Sequence, residues 1–246
     1  MKQRYRLMGI LGVLLIYELF VQCVHQPIIL PSLISVFEAA YEIVSDPMFT
    51  VTVLSTVRRT VLTFTGVLII SLLLGILAGY FKALRLFLAP FITLLRTLPT
   101  ISITIILLIW FGAERGPVMI MACVIFPLLY EMIESSMNHV DSDLLDVCLL
   151  FGATPYEKFR ALYYPQLMRE LSCGVQATIG LSFKVMVMGE VMAQTSIGIG
   201  RQLNYEKTYL NMPAVFAWSF VLILLVMCFE FITQILIKEL IRHLDS

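Results

Sequence analysis

What most constrains this chain is how little charge it carries over long stretches. Six stretches, 7–24, 61–81, 99–112, 117–133, 171–193 and 214–237, are built very largely of apolar residues. Hydrocarbon offers no water to a backbone amide or carbonyl, so a segment placed there must close its hydrogen bonds internally, and a single segment does this as a helix. At about 1.5 Å of rise per residue, roughly 20 residues cross a bilayer core. The expected fold class is therefore an all-α membrane protein with about six transmembrane helices. With 59% hydrophobic and 14% charged residues and a mean hydropathy of +0.91, a soluble domain is excluded. The formal net charge of +0 provides no basic field for nucleic acid.

The amino end carries Lys2, Arg4 and Arg6 before the first apolar run. No small-residue cleavage site follows, so the run reads as a retained span rather than a signal peptide. Pro27 and Pro31 break it. Leu33, Val36, Phe37, Ala40 and Tyr41 then form the stripe of an amphipathic helix on the outer membrane face, ended by Asp46-Pro47. Residues 1–60 thus hold the first span and this helix, and residues 61–240 hold the remaining spans, with a long polar loop at 138–165. The five cysteines are scattered without a Cys-x-x-Cys pair, which suggests neither a disulfide framework nor a metal site.

Six spans put both termini on one side. The basic residues of the termini and of two loops (Lys2, Arg4, Arg6, Lys82, Arg85, Arg96, Lys158, Arg160, Arg169, Lys238, Arg242) outnumber those opposite (Arg58, Arg59, Arg115, Arg201, Lys207). By the positive-inside rule both termini are expected in the cytoplasm.

The loop is the most specific part of the sequence. Leu144, Val147, Cys148 and Phe151 make an apolar face on a short helix that Asp141 or Ser142 can cap and Gly152 can end. Thr154-Pro155-Tyr156-Glu157 is a capping box with proline at the first helical position. Tyr156, Phe159 and Tyr163 share a face beside Lys158 and Arg160, and Pro165 is expected to stop this second helix. A helix–glycine–helix elbow with an aromatic, basic tip suits either docking of another protein or a membrane-surface hairpin.

The elbow resembles the EAA loop of ABC-importer permeases: Glu-Ala-Ala, three residues, Gly, nine residues, Ile-x-Leu-Pro. Here Asp146-Val147-Cys148, three residues, Gly152, nine residues and Leu162-Tyr163-Tyr164-Pro165 keep the spacing, with Asp for Glu and Val-Cys for Ala-Ala. Arg96-Thr97-Leu98-Pro99 and Trp110-Phe111-Gly112 around the third span, and Gly198-Ile199-Gly200 after the fifth, are similar to the nitrate/sulfonate/taurine branch. The resemblance implies a MetI-like type I importer permease in the plasma membrane. Its elbow would be a coupling helix docked on a cytoplasmic ATPase through Asp146, Gly152, Ala153, Thr154, Pro155, Tyr156, Glu157, Phe159 and Pro165. It further implies a second permease copy and an extracytoplasmic substrate-binding protein. No Gly-x-x-x-x-Gly-Lys-Ser/Thr loop is present, so this chain is expected to hold no cofactor, with ATP and magnesium on the partner subunit.

Polar residues within the spans are few. Gly75 and Gly79, and Gly174 in the fifth span, are expected to admit close helix packing. Lys184 and Glu190 are costly in hydrocarbon and lie six residues apart on different helix faces. They mark either a translocation pathway or structural ion pairs, with Glu18, Glu190 and Glu230 the carboxylates open to Lys184. Glu131 and Glu134 read as solvated ion pairs with the basic loop rather than an acid–base pair, and Arg58 and Arg59 as snorkelling anchors. No catalytic residue is expected: His25, His139 and His243 fall in loops or the tail, without the spacing of an intramembrane protease. A secondary transporter would show inverted repeats, and none is evident. The substrate class implied is a small anion of the nitrate, sulfonate or taurine type, with a vitamin or pyrimidine precursor as the alternative.

Overall fold

A computed structural model describes residues 5, 12, 16–23, 26, 29–138, 140 and 142–244, and every extended element among them is helical. Residues 16–23 are helical; half of the expected first span, and the cap position Asp141, lie outside the described residues. The amphipathic helix α1 (Leu33–Ser45) begins at Ser32, whose hydroxyl accepts the Ser35 amide at 3.2 Å. It ends at Asp46, as the Asp-Pro pair requires.

Helix α2 (Phe49–Tyr80) starts twelve residues before the expected Val61. Its early threonines are the reason. Thr52, Thr56 and Thr60 are buried against protein rather than lipid, and the Thr60 hydroxyl donates to the Thr56 carbonyl at 2.8 Å. The basic loop expected at 82–98 is instead a helix, α3 (Lys82–Thr97), with Pro90 inside it.

The third and fourth expected spans form one helical run, α4 (Thr100–Asn138), interrupted at Gly112, where φ is 71°. Leu108 lies against Gly116, and Ile103 and Leu107 cluster with Ile120, so the chain reverses at Gly112 into two packed limbs. A left-handed residue is what such a reversal needs, and glycine takes it without a Cβ clash. The second limb is the centre of the fold. Met121, Ile125, Leu129 and Ile133, spaced by four, have no exposed surface. Met121, Ile125 and Leu129 pack against Phe64 and Val67 of α2 and against Ile179, Phe183 and Met186 of the later span.

Close approach on this limb is set by glycine. A Cβ on Gly75 would lie 2.6 Å from Ile133; Gly79 abuts Met137, and Gly174 abuts Met132. All three glycines expected at helix contacts therefore face the same limb. Without a hydrophobic drive between helices in lipid, this van der Waals fit is a principal source of cohesion.

After the elbow come α5 (Ser142–Leu150), α6 (Pro155–Lys158), a π-helical turn (Phe159–Tyr163) and α7 (Tyr164–Ala193), followed by α8 (Ile199–Thr208) and α9 (Met212–Leu244). Four helical runs among the described residues are long and apolar enough to cross a membrane: Phe49–Tyr80, Thr100–Asn138, Pro155–Ala193 and Met212–Glu239.

Candidate functional site

The elbow is built by two local devices. At the end of α5 the Phe151 amide donates to Val147 O at 3.1 Å and the Ala153 amide to Cys148 O at 2.9 Å, with Gly152 at φ 66° between them. This is the glycine-ended helix terminus expected from the sequence. A Cβ at Gly152 would meet nothing, so the demand there is conformational rather than steric. Then Thr154 caps α6. Its hydroxyl accepts the Glu157 amide at 3.3 Å, while Glu157 Oε2 accepts the Thr154 amide at 2.7 Å. Pro155 occupies the first helical position.

Pro165 does not stop the second helix. The run from Pro155 to Ala193 is continuous, 39 residues long. Proline has no amide to offer the carbonyl four residues back. Just before it the register slips to a π turn, in which the Tyr164 amide donates to Phe159 O, and the helix absorbs the proline without ending. The capped second helix of the elbow is thus the first turn of the long run Pro155–Ala193, not a separate element.

The aromatic tip divides in two. Phe159 and Tyr163 turn inward onto Tyr80 at the end of α2, with ring centroids 6.4 and 5.4 Å away. Tyr156 points away and is 70% exposed. Leu150 and Phe151, at the end of α5, are 85% and 87% exposed. The apolar face of α5 read from the sequence therefore exists but is uncovered, since Leu144 and Val147 are exposed too. Asp146, Thr154, Pro155, Glu157 and Pro165 are exposed and Ala153 is half-buried, so nearly all the residues expected to dock lie on this accessible surface. Leu150 and Tyr80 were not anticipated. The face at 144, 147 and 151 was the signal for Leu150; Tyr80, a long way off in sequence, left none.

Inside the spans, Lys184 and Glu190 part company. Lys184 is exposed, on a stripe of α7 with Ala177, Met188 and Met192. Glu190 has no exposed surface and accepts from the Thr56 hydroxyl at 2.9 Å, Arg59 Nη1 at 3.1 Å and the Gly200 amide at 3.0 Å. Glu190 is therefore a structural ion pair with Arg59, which is not a simple snorkelling anchor, and it is no partner for Lys184. Arg58 is exposed. Glu131 is paired with Arg96 at 2.5 Å, and Glu134 with Arg85 at 3.4 Å, clamping α3 to the end of α4. A recess between α7 and α9, about 780 Å³, is lined by Gln176, Glu230 and Gln234.

The family described as "Binding-protein-dependent transport system inner membrane component" matches residues 71–242. The chain is 22% identical over 178 residues to a Bacillus subtilis protein named as an aliphatic sulfonates transport permease, SsuC, covering 72% of this chain and 64% of that one; the match spans less than two thirds of that relative. It is 24% identical to the riboflavin transport system permease protein RibX of Chloroflexus aurantiacus, over 63% of this chain and 58% of that one. It is 22% identical to the formylaminopyrimidine transport permease protein ThiX of Halalkalibacterium halodurans, over 87% and 86%. Among solved structures, a chain of the MetNI methionine ABC transporter superposes with a TM-score of 0.61 at 18% identity, over 81% of this chain and 99% of that one, a likeness of fold.

Proposed function

Because the chain belongs to the inner membrane component family of binding-protein-dependent transport systems, and so is a transport subunit rather than an enzyme, we propose that its elbow is the docking site for a cytoplasmic ABC ATPase and that it imports a small organic or inorganic anion. The observation that carries the docking reading is the uncovered apolar tip. Leu150 and Phe151 at the end of α5 and Tyr156 on the capped α6 are each at least 70% exposed. An exposed apolar patch of this kind meets either another protein or a membrane surface, and membership of a family of transport-system components supports the protein. ATP and magnesium bind on the partner subunit. Closure of the ATPase pair pushes α6, and because α6 runs without a break into α7, the push becomes a tilt of that span.

Both termini and the elbow are cytoplasmic in this reading, as the distribution of Lys and Arg indicates. A second copy of the chain covers the face carrying Lys184, Glu230 and Gln234, since exposed ionisable groups at span depth are costly against lipid. Lys184 then lines the path between copies and favours an anionic solute. A substrate-binding protein delivers that solute from outside.

The names of the relatives favour two substrate classes, sulfonates on one side and riboflavin or a pyrimidine on the other. The Lys184 stripe supports the anion. Uptake into proteoliposomes holding this chain, its ATPase and its binding protein tests the choice. ATP-dependent accumulation of a labelled alkanesulfonate supports it, and accumulation of a neutral pyrimidine alone contradicts it.

A further inference from the structure

At the end of α7 opposite the elbow, one guanidinium is shared by two carboxylates of different character. Arg59 Nη1 reaches Glu190 at 3.1 Å and the Ile197 carbonyl at 2.7 Å, and its Nη2 pairs with Glu114. Glu114 also accepts the Ser196 amide at 2.7 Å. Thr56, besides donating to Glu190, accepts the Ile199 amide at 2.9 Å. Three separate elements, α2, the Gly112 reversal and the turn between α7 and α8, are thereby joined at one point.

The two halves of this junction differ. The Glu190 half is closed to solvent, and the turn is shaped around its carboxylate: a Cβ on Gly198, where φ is 149°, would lie 2.6 Å from Glu190 Oε2. Opening that half would strand a buried charge, which is strongly unfavourable. The Glu114 half is accessible, with the Glu114 side chain 51% exposed against 18% for Arg59. Water competes for it, so it parts and re-forms at small cost. Glu114 also stands two residues beyond Gly112, on a reversal where a Cβ at Gly112 would meet nothing.

Building on the transport reading above, we propose that Arg59 is held permanently by Glu190 and reversibly by Glu114, so that the Glu114–Arg59–Ser196 contact is a latch closing the end of the bundle opposite the elbow, opened once in each transport cycle. Arg59, Glu114 and Glu190 are positioning residues and touch no substrate. A push at the elbow tilts α7 as one rod, and the far end of that rod is what the latch restrains. The buried half keeps the α7–α8 turn with α2, while the exposed half lets the Gly112 reversal swing away.

The test uses the assembled transporter, with ATPase and binding protein, in a background free of native cysteines. Nitroxide labels on Ala113→Cys and Tyr205→Cys, both exposed positions outside the contact, report the distance from the reversal to α8. It is expected to lengthen when a non-hydrolysable ATP analogue traps the ATPase pair closed. In the unlabelled complex, Glu114→Gln is expected to raise ATP turnover without binding protein on the order of threefold, the effect of losing one exposed ion pair from the resting state. The amount of assembled complex stays the same. A purely structural contact would change neither reading, so an unchanged distance or an unchanged turnover overturns the latch. A complex of the unsubstituted chain that hydrolyses no ATP overturns the transport reading and the latch with it.

Discussion

Tyr80 at the last turn of α2 packs its ring on Tyr163 of the elbow, with centroids 5.4 Å apart. With Phe159 on the same tyrosine, the elbow is fastened to one span by aromatic contact while it continues directly into another. An elbow held in this way delivers a displacement to two helices at once. Aromatic pairs contribute about 0.5–1.5 kcal/mol each beyond area burial. Tyr80→Ala is therefore expected to leave membrane levels near normal and to lower the solute transported per ATP hydrolysed. Paired uptake and phosphate-release assays measure the ratio.

Gly152→Asp acts at the same elbow through the backbone. The site is open but at φ 66°, a conformation that costs most L-residues about 1–2 kcal/mol and aspartate less, so the added charge carries most of the effect. The new carboxylate also stands beside the exposed apolar tip. Insertion is expected to persist while ATP hydrolysis and uptake become uncoupled. Wild-type uptake by this variant would count against the elbow as the coupling point.

Glycine at helix contacts yields a stability contrast. Gly75→Ala places its methyl against Ile133, whereas at Gly66 a Cβ meets nothing. Overpacking costs about 1–3 kcal/mol. In detergent, Gly75→Ala is expected to melt several degrees below the parent, and Gly66→Ala at or slightly above it, because alanine favours a helix over glycine.

Lys184→Met removes an exposed cation from the middle of α7 while keeping length and helix propensity. Since Lys184 forms no side-chain contact with Glu190, the fold is expected to be retained. Anion uptake is expected to fall roughly tenfold or more, in line with the loss of a charge-assisted contact of about 1.5–3 kcal/mol. Unchanged affinity and rate would remove Lys184 from the pathway.

Much of this is legible in the sequence. Local rules sufficed at the elbow, because Gly152, Thr154 and Glu157 act within a few residues of themselves. The three packing glycines were also readable, since a missing side chain is informative wherever it lies in a span. What escaped depended on partners distant in sequence. Thr52, Thr56 and Thr60 precede the expected start of the second span, and protein, not lipid, covers them. Arg59 passed for an anchor because its carboxylates stand 55 and 131 positions away. Pro165 was expected to end a helix, and only a change of hydrogen-bond register upstream lets it stay inside one.

The account stands or falls on what covers the tip of the elbow. A photo-cross-linking amino acid at Phe151, activated in the intact membrane complex, answers this directly. The expected product joins this chain to the ATPase subunit, with little labelling of lipid. Adducts to lipid alone, from a complex that is otherwise assembled, would contradict it and make the elbow a hairpin lying on the membrane surface.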